Sequence, residues 1–132
     1  MLAMFSKTYL KQPATQKDGQ RLRNRLAARA TVCFDSNSRA TPLFVQLLEQ
    51  ESGARVQHGT LSFTMREFFH RAEMRDVLDG VSCAVRALER YSKDAARNWI
   101  DFCQRAFAEE GMAYRVDDRG EVHYVVDVAF HE

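Results

Sequence analysis

Apolar residues recur at helical spacing through most of the chain and give way to strict alternation near its C-terminus. Leu22, Leu26, Ala30, Cys33 and Phe34 share one helical face. Pro13 precedes them, and Thr15 to Asp18 has the form of a capping box with Asp in place of Glu, so a first helix is predicted to open there. Gly19 costs this helix about 1 kcal/mol relative to Ala, too little to cancel the pattern. Asp35 to Ala40 is polar and reads as a turn. Thr41-Pro42 reads as a cap followed by proline at the first helical position, with Phe44, Leu47 and Leu48 as the buried stripe and Gly53 as the stop. Arg55 to Thr60 reads as a loop. Thr64 and Glu67 form a second candidate capping box, with Met65, Phe68, Phe69 and Ala72 behind it.

The phase of the pattern shifts between Met74 and Asp76, which predicts a kink or short turn. Val77, Leu78, Val81, Ala84, Val85 and Leu88 then make a clear stripe, predicting a helix over about 76–91. Ser92 can cap a last helix whose face carries Ala96, Trp99, Ile100, Cys103 and Phe107, widened by Phe102. Glu109 and Glu110 fall at the negative end of that helix, where the macrodipole disfavours them, and Gly111 is a suitable residue beyond its end. From there the period is two. Met112 to Val116 and Glu121 to about Ala129 read as paired strands, with Val122, Tyr124, Val126, Val128 and Phe130 on one side and Asp117 to Gly120 as the loop. A lone hairpin is marginal in water, so this one must pack on the helices or on another chain. The first dozen residues have no clear period. The predicted architecture is mainly α: a helical bundle of four to five helices with a C-terminal β-hairpin (about 112–130) packed on it, in one domain spanning 1–132.

Composition agrees with a folded globular chain. It has 132 residues, 45% hydrophobic and 28% charged, long enough to bury about two-thirds of its unfolded surface. No apolar run approaches the roughly 20 residues that span a bilayer, and Met1 to Phe5 is too short for a secretory core and lacks a small-residue exit. Cys33, Cys83 and Cys103 are odd in number and lie in helical patterns, which predicts reduced, buried thiols. The expected location is the cytoplasm, with no membrane association.

The net charge of +1 conceals an asymmetry. Residues 1–40 hold eight basic side chains (Lys7, Lys11, Lys17, Arg21, Arg23, Arg25, Arg29 and Arg39) against Asp18 and Asp35, a local +6; the other 92 residues hold eleven basic and sixteen acidic ones, or −5. The two parts are suited to attract each other, or the basic end to meet an external anion. Arg21, Arg25 and Arg29 recur every four residues beside Leu22 and Leu26, a spacing suited to a phosphate backbone. No aromatic residue interleaves with them, and a solvated face or pairing with the acidic half is the favoured reading.

Chemistry is otherwise sparse. His58, His70, His123 and His131 stand far apart and no Cys or His pair has metal-site spacing, so no metal and no cofactor are expected. Nucleophile elbow, phosphate loop and dinucleotide glycine fingerprint are all missing. Phe63, Phe68, Phe69 and Trp99 at helical spacing read as core. Arg66 and His70 are the one pair to test. HEPN ribonucleases carry an Arg and a His on a bundle helix, the arginine steadying a phosphate and the histidine serving acid–base cleavage. There a longer interval separates the two; here three residues intervene, which still places both one turn apart. The reading is of no catalytic residue, with Arg66 and His70 as the outside chance.

Several stretches resemble the N-terminal domain of AbiJ-type abortive-infection proteins. Phe5-Ser6-Lys7 is similar to that family's opening, and Leu22-Arg-Asn-Arg-Leu26 to its first helix motif, with Ala27 where a tryptophan is usual. Val77-Leu-Asp79 is similar to a helix start in mid-domain. Trp99-Ile-Asp-Phe102, Phe107-Ala-Glu-Glu-Gly111, Ala113-Tyr-Arg-Val116 and Arg119-Gly-Glu-Val122 resemble its closing helix, turn and hairpin. The resemblance implies a sensor or adaptor in bacterial anti-phage defence with no established active site. Arg23, Asn24 and Arg25 are the matching polar positions, and hydrogen bonds from them to the hairpin loop are an expected structural role. Two function classes follow. One is a non-catalytic interaction module, with a protein partner or a second copy docking on a mixed surface or on the outer strand of the hairpin. The alternative is a nucleic-acid-binding or HEPN-like RNA-processing domain using the basic first helix. The binding candidates are Arg21, Arg23, Asn24, Arg25 and Arg29.

Overall fold

The computed structural model describes residues 2–6, 16–53 and 61–127. In chain order they form β1 (Leu2–Ser6), α1 (Gln16–Ser36), α2 (Thr41–Ser52), α3 (Leu61–Arg71), α4 (Met74–Glu89), α5 (Lys93–Glu109), β2 (Tyr114–Val116) and β3 (Val122–Asp127), with a 3-10 turn at Ser38–Ala40 before α2. The mainly helical bundle closed by a C-terminal antiparallel hairpin is the predicted architecture. The expected loop at 55–60 and the hairpin residues beyond Asp127, including Val128 and Phe130, lie outside the described residues.

One contiguous core joins all five helices to the hairpin. Its centre is α4, where ten of sixteen residues are buried. α2 and α5 pack against it, α1 packs on α3 and α5, and β2 lies on α5. An aromatic chain crosses the interior: Phe44 meets Phe34 at 5.5 Å and Phe69 at 6.1 Å between ring centroids, and Phe69 meets Trp99 at 5.6 Å. Trp99 is fully buried, so its indole N–H needs a partner; it donates to the Val81 carbonyl at 3.2 Å. Full burial of each such side chain contributes about 1.5–3 kcal/mol.

Several ends follow their signals. Gly53 takes a left-handed φ of 72° after α2, and the Ser92 hydroxyl accepts the Ala95 amide N–H at the start of α5. The phase shift before Asp76 is the break between α3 and α4. Other ends are corrected. α1 runs on to Ser36, through the first part of the expected turn. Thr41 is the first residue of α2 rather than its cap; Ala40 holds the cap position, and the Thr41 hydroxyl is buried with no hydrogen-bond partner among the described residues. α3 opens at Leu61, so Thr64 is a residue of its first turn rather than the residue before the helix. α4 is displaced by two residues from its predicted span.

The sheet brings the largest addition. The first residues, which lack a readable period, form β1, and β1 pairs antiparallel with β3 from Leu2 opposite Asp127 to Ser6 opposite His123. The strand order is β1-β3-β2, so β3 is central. The hairpin is anchored on both α4 and α5: Arg86 of α4 reaches Glu121 at 3.4 Å and Arg97 of α5 reaches Asp118 at 3.3 Å. Gln104 of α5 accepts the Val116 amide N–H at 2.9 Å, and Phe107 meets the Tyr114 ring edge-on at 5.6 Å. In the loop, one Asp117 oxygen accepts the amides of Arg119 and Glu121, each at 2.9 Å, and the other lies 2.9 Å from His123 Nε2.

Candidate interaction surface

The arginine row on α1 is divided between two tasks. α1 and α5 run antiparallel, which sets the start of α1 beside the end of α5. Arg21 Nε donates to Glu110 at 2.8 Å; Arg25 donates to Glu110 at 3.1 Å and to Glu109 at 2.6 Å. Glu110 is only 9% exposed. Its hydrogen bond from Arg21, then that from Arg25, hold its carboxyl below the usual range against the opposing effect of burial. The Glu109 hydrogen bond likewise raises the Arg25 pKa. Two carboxylates that the α5 dipole disfavours are thus neutralised by two cations from α1. The charge asymmetry of the sequence is spent here within the molecule, in agreement with the reading that the stripe pairs with the acidic half.

Arg23 and Asn24 face a different way. Arg23 donates to the Gln20 side chain at 3.2 Å, Gln20 donates to Asn24 at 2.9 Å, and Gln20 also reaches the His70 carbonyl at 3.4 Å. This network lies at the end of α3. The expected link from Arg23, Asn24 and Arg25 to the hairpin loop is therefore corrected: Arg23 and Asn24 join the network at the end of α3, and Arg25 with Arg21 ties α1 to Glu109 and Glu110 at the end of α5.

Arg29, one turn further along, meets a ring instead of a carboxylate. Its guanidinium stands 5.2 Å from the centroid of Phe102, with Arg25 at 5.7 Å and Arg105 at 6.0 Å from the same ring. Each such contact contributes about 0.5–1 kcal/mol at an exposed site. Ala28 and Val32 continue the outward row of α1, and Val32 is 62% exposed. Arg25, Ala28, Arg29, Val32 and Phe102 line one open groove of about 350 Å³ along the α1/α5 seam. Its floor is apolar and its rim cationic. Among the described residues, no carboxylate pairs with Arg29 or Arg105.

Sequence reasoning counted Phe102 as an extension of the core face and passed over Val32 and Arg105. The usable signal was slight: Val32 is an apolar residue on the arginine face of α1, three positions after Arg29, and Phe102 lies off the main stripe of α5.

Arg66 and His70 are both exposed on α3, while the intervening Phe69 is fully buried and Phe68 packs against the core. The pair shares one helix face, as its spacing requires. Cys33 is half-buried, Cys83 and Cys103 are fully buried, and all three are free thiols. Burial pushes the Cys33 thiol up and that of Cys103 well up, away from the reactive thiolate form. Among the described residues, no three His, Cys, Asp or Glu side chains gather to hold a metal ion, and no helix is long and apolar enough to cross a membrane.

The hairpin edge expected to receive a partner is filled from within. β3 has β2 on one side and β1 on the other, so its backbone groups are paired along both flanks. Among the described residues, the groove between α1 and α5 combines the exposed apolar side chain of Val32 with arginines that no described carboxylate pairs. No family model, curated protein or solved structure matches the chain.

Proposed function

We propose that this chain is a non-catalytic interaction module, a sensor or adaptor that docks a protein partner on the α1/α5 groove. The observation that carries the reading is the exposure of Val32 beside Phe102, with Arg29 and Arg105 unpaired by carboxylates around them. Val32 does not stand singly: Ala28 and the Phe102 ring adjoin it, and a neighbouring chain seated there would cover all three. The nucleic-acid reading loses its main support, because Arg21 and Arg25 are already engaged by Glu109 and Glu110. Those carboxylates also repel a phosphate backbone. The resemblance to AbiJ-type N-terminal domains suggests bacterial defence as the setting and the cytoplasm as the location, where free thiols persist.

The test is co-purification of the full chain from its native cells, wild type against Val32→Asp. A protein partner retained at 0.3 M salt and lost in the variant is the expected result. Recovery of nucleic acid alone, released by salt and indifferent to Val32, would overturn the proposal.

A further inference from the structure

We infer that the occupant of the α1/α5 groove is a short acidic peptide segment of a partner protein, with an apolar side chain seated on Ala28, Val32 and Phe102 and a flanking carboxylate held by Arg29 and Arg105. This rests on the interaction reading above and adds the chemistry of the partner. Two features of the groove argue for it. The floor supplies an aliphatic residue and the edge of a half-buried ring, a surface for one apolar side chain. Arg29 lines the groove from α1 and Arg105 stands beside Phe102 on α5, and both guanidiniums lie within 6.0 Å of the Phe102 centroid. Two planar donor groups flanking an apolar seat suit a carboxylate placed close to the anchoring side chain.

Charge complementarity also decides against the main alternative. A single-stranded nucleic acid can stack a base on an aromatic ring, yet the face of Phe102 is already crowded by guanidiniums. Among the described residues no carboxylate pairs with Arg29 in the groove or with Arg105 beside it, and Glu109 and Glu110 stand at one end. An extended phosphate backbone would meet those carboxylates within a few nucleotides. A peptide that places one or two carboxylates at the centre of the groove avoids them.

The experiment is selection of displayed random 12-residue peptides on the full-length chain, followed by fluorescence anisotropy with the enriched peptides. The expected winners carry Asp or Glu within a few residues of Leu, Ile, Met or Phe. Their affinity should fall about fivefold or more in Arg29→Ala and in Arg105→Ala, and more than tenfold in Val32→Asp. All three positions are exposed, so thermal midpoints lowered by no more than a few degrees are expected, and they separate lost binding from lost folding. Winners without acidic residues that still require Val32 would overturn the acidic partner and leave the interaction reading standing. Peptides indifferent to all three substitutions, or no enrichment of any peptide at all, would overturn the site. A fluorescein-labelled oligo-uridine that binds at 0.15 M salt and is lost in both arginine variants would overturn this inference and the interaction reading together.

Discussion

At the scale of single residues, the fold depends on positions where a missing side chain matters as much as a present one. Gly120 closes the hairpin loop with φ of 86°, and a Cβ there would lie 2.5 Å from Cβ of Val85 on α4. Both the left-handed backbone and the close approach require glycine. The contact is with a branch point close to the α4 backbone, so a side-chain rotation cannot relieve it. Gly120→Ala is expected to cost more than about 2 kcal/mol, the sum of backbone strain and overpacking. Urea denaturation followed by Trp99 fluorescence checks this; a midpoint within error of wild type would show that the hairpin does not sit on α4 as described. Gly80 is a gentler case. A Cβ there would lie 2.6 Å from the Phe68 ring, the outer part of a side chain that is only partly buried.

At the scale of elements, what could be read in advance followed from periodicity. The stripes of α4 and α5 were legible because many large apolar residues recur on one face, and Ser92 and Gly53 were legible because capping and left-handed positions have few chemical solutions. The start of α3 was not, since Thr64 and Glu67 satisfy a local capping pattern that the longer helix overrides. β1 was missed for a different reason. Its five residues, Leu-Ala-Met-Phe-Ser, carry no alternation, and its place is set by pairing with residues more than a hundred positions away. The strand matters out of proportion to its length, because it occupies an edge of β3 that would otherwise be open. A chain beginning at residue 7 is therefore expected to self-associate through that edge. Sedimentation velocity across a dilution series should give a higher average mass than the full chain at the same concentration. Identical distributions would show that β3 is protected by something other than β1. The site was legible only in part. The arginine spacing and the unfavourable Glu109 and Glu110 were visible, but their meeting depends on the antiparallel packing of α1 and α5, and Phe102 read as a widening of a buried stripe.

At the scale of the molecule, two acid-sensitive latches act at the two ends of strand β2. One is Glu110, gripped by Arg21 and Arg25 across the α1/α5 seam; the other is Asp117, where burial raises the pKa but hydrogen bonds from His123 and the Glu121 and Arg119 amides outweigh it. Both carboxyls have folded-state pKa values below their ordinary ones. By linkage, the stability they contribute is fully present above the unfolded-state carboxylate range, about pH 4, and is lost as pH falls through the folded values. Their joint contribution is about 1–2 kcal/mol, since the arginine partners are partly exposed and screened by solvent. Glu110→Gln and Asp117→Asn keep hydrogen-bond acceptors at both sites while removing the titration. The double variant should be less stable than wild type at pH 7 and should lose less stability between pH 5 and pH 3. Urea midpoints measured across that range decide it, and parallel acid slopes for the two proteins would contradict the linkage.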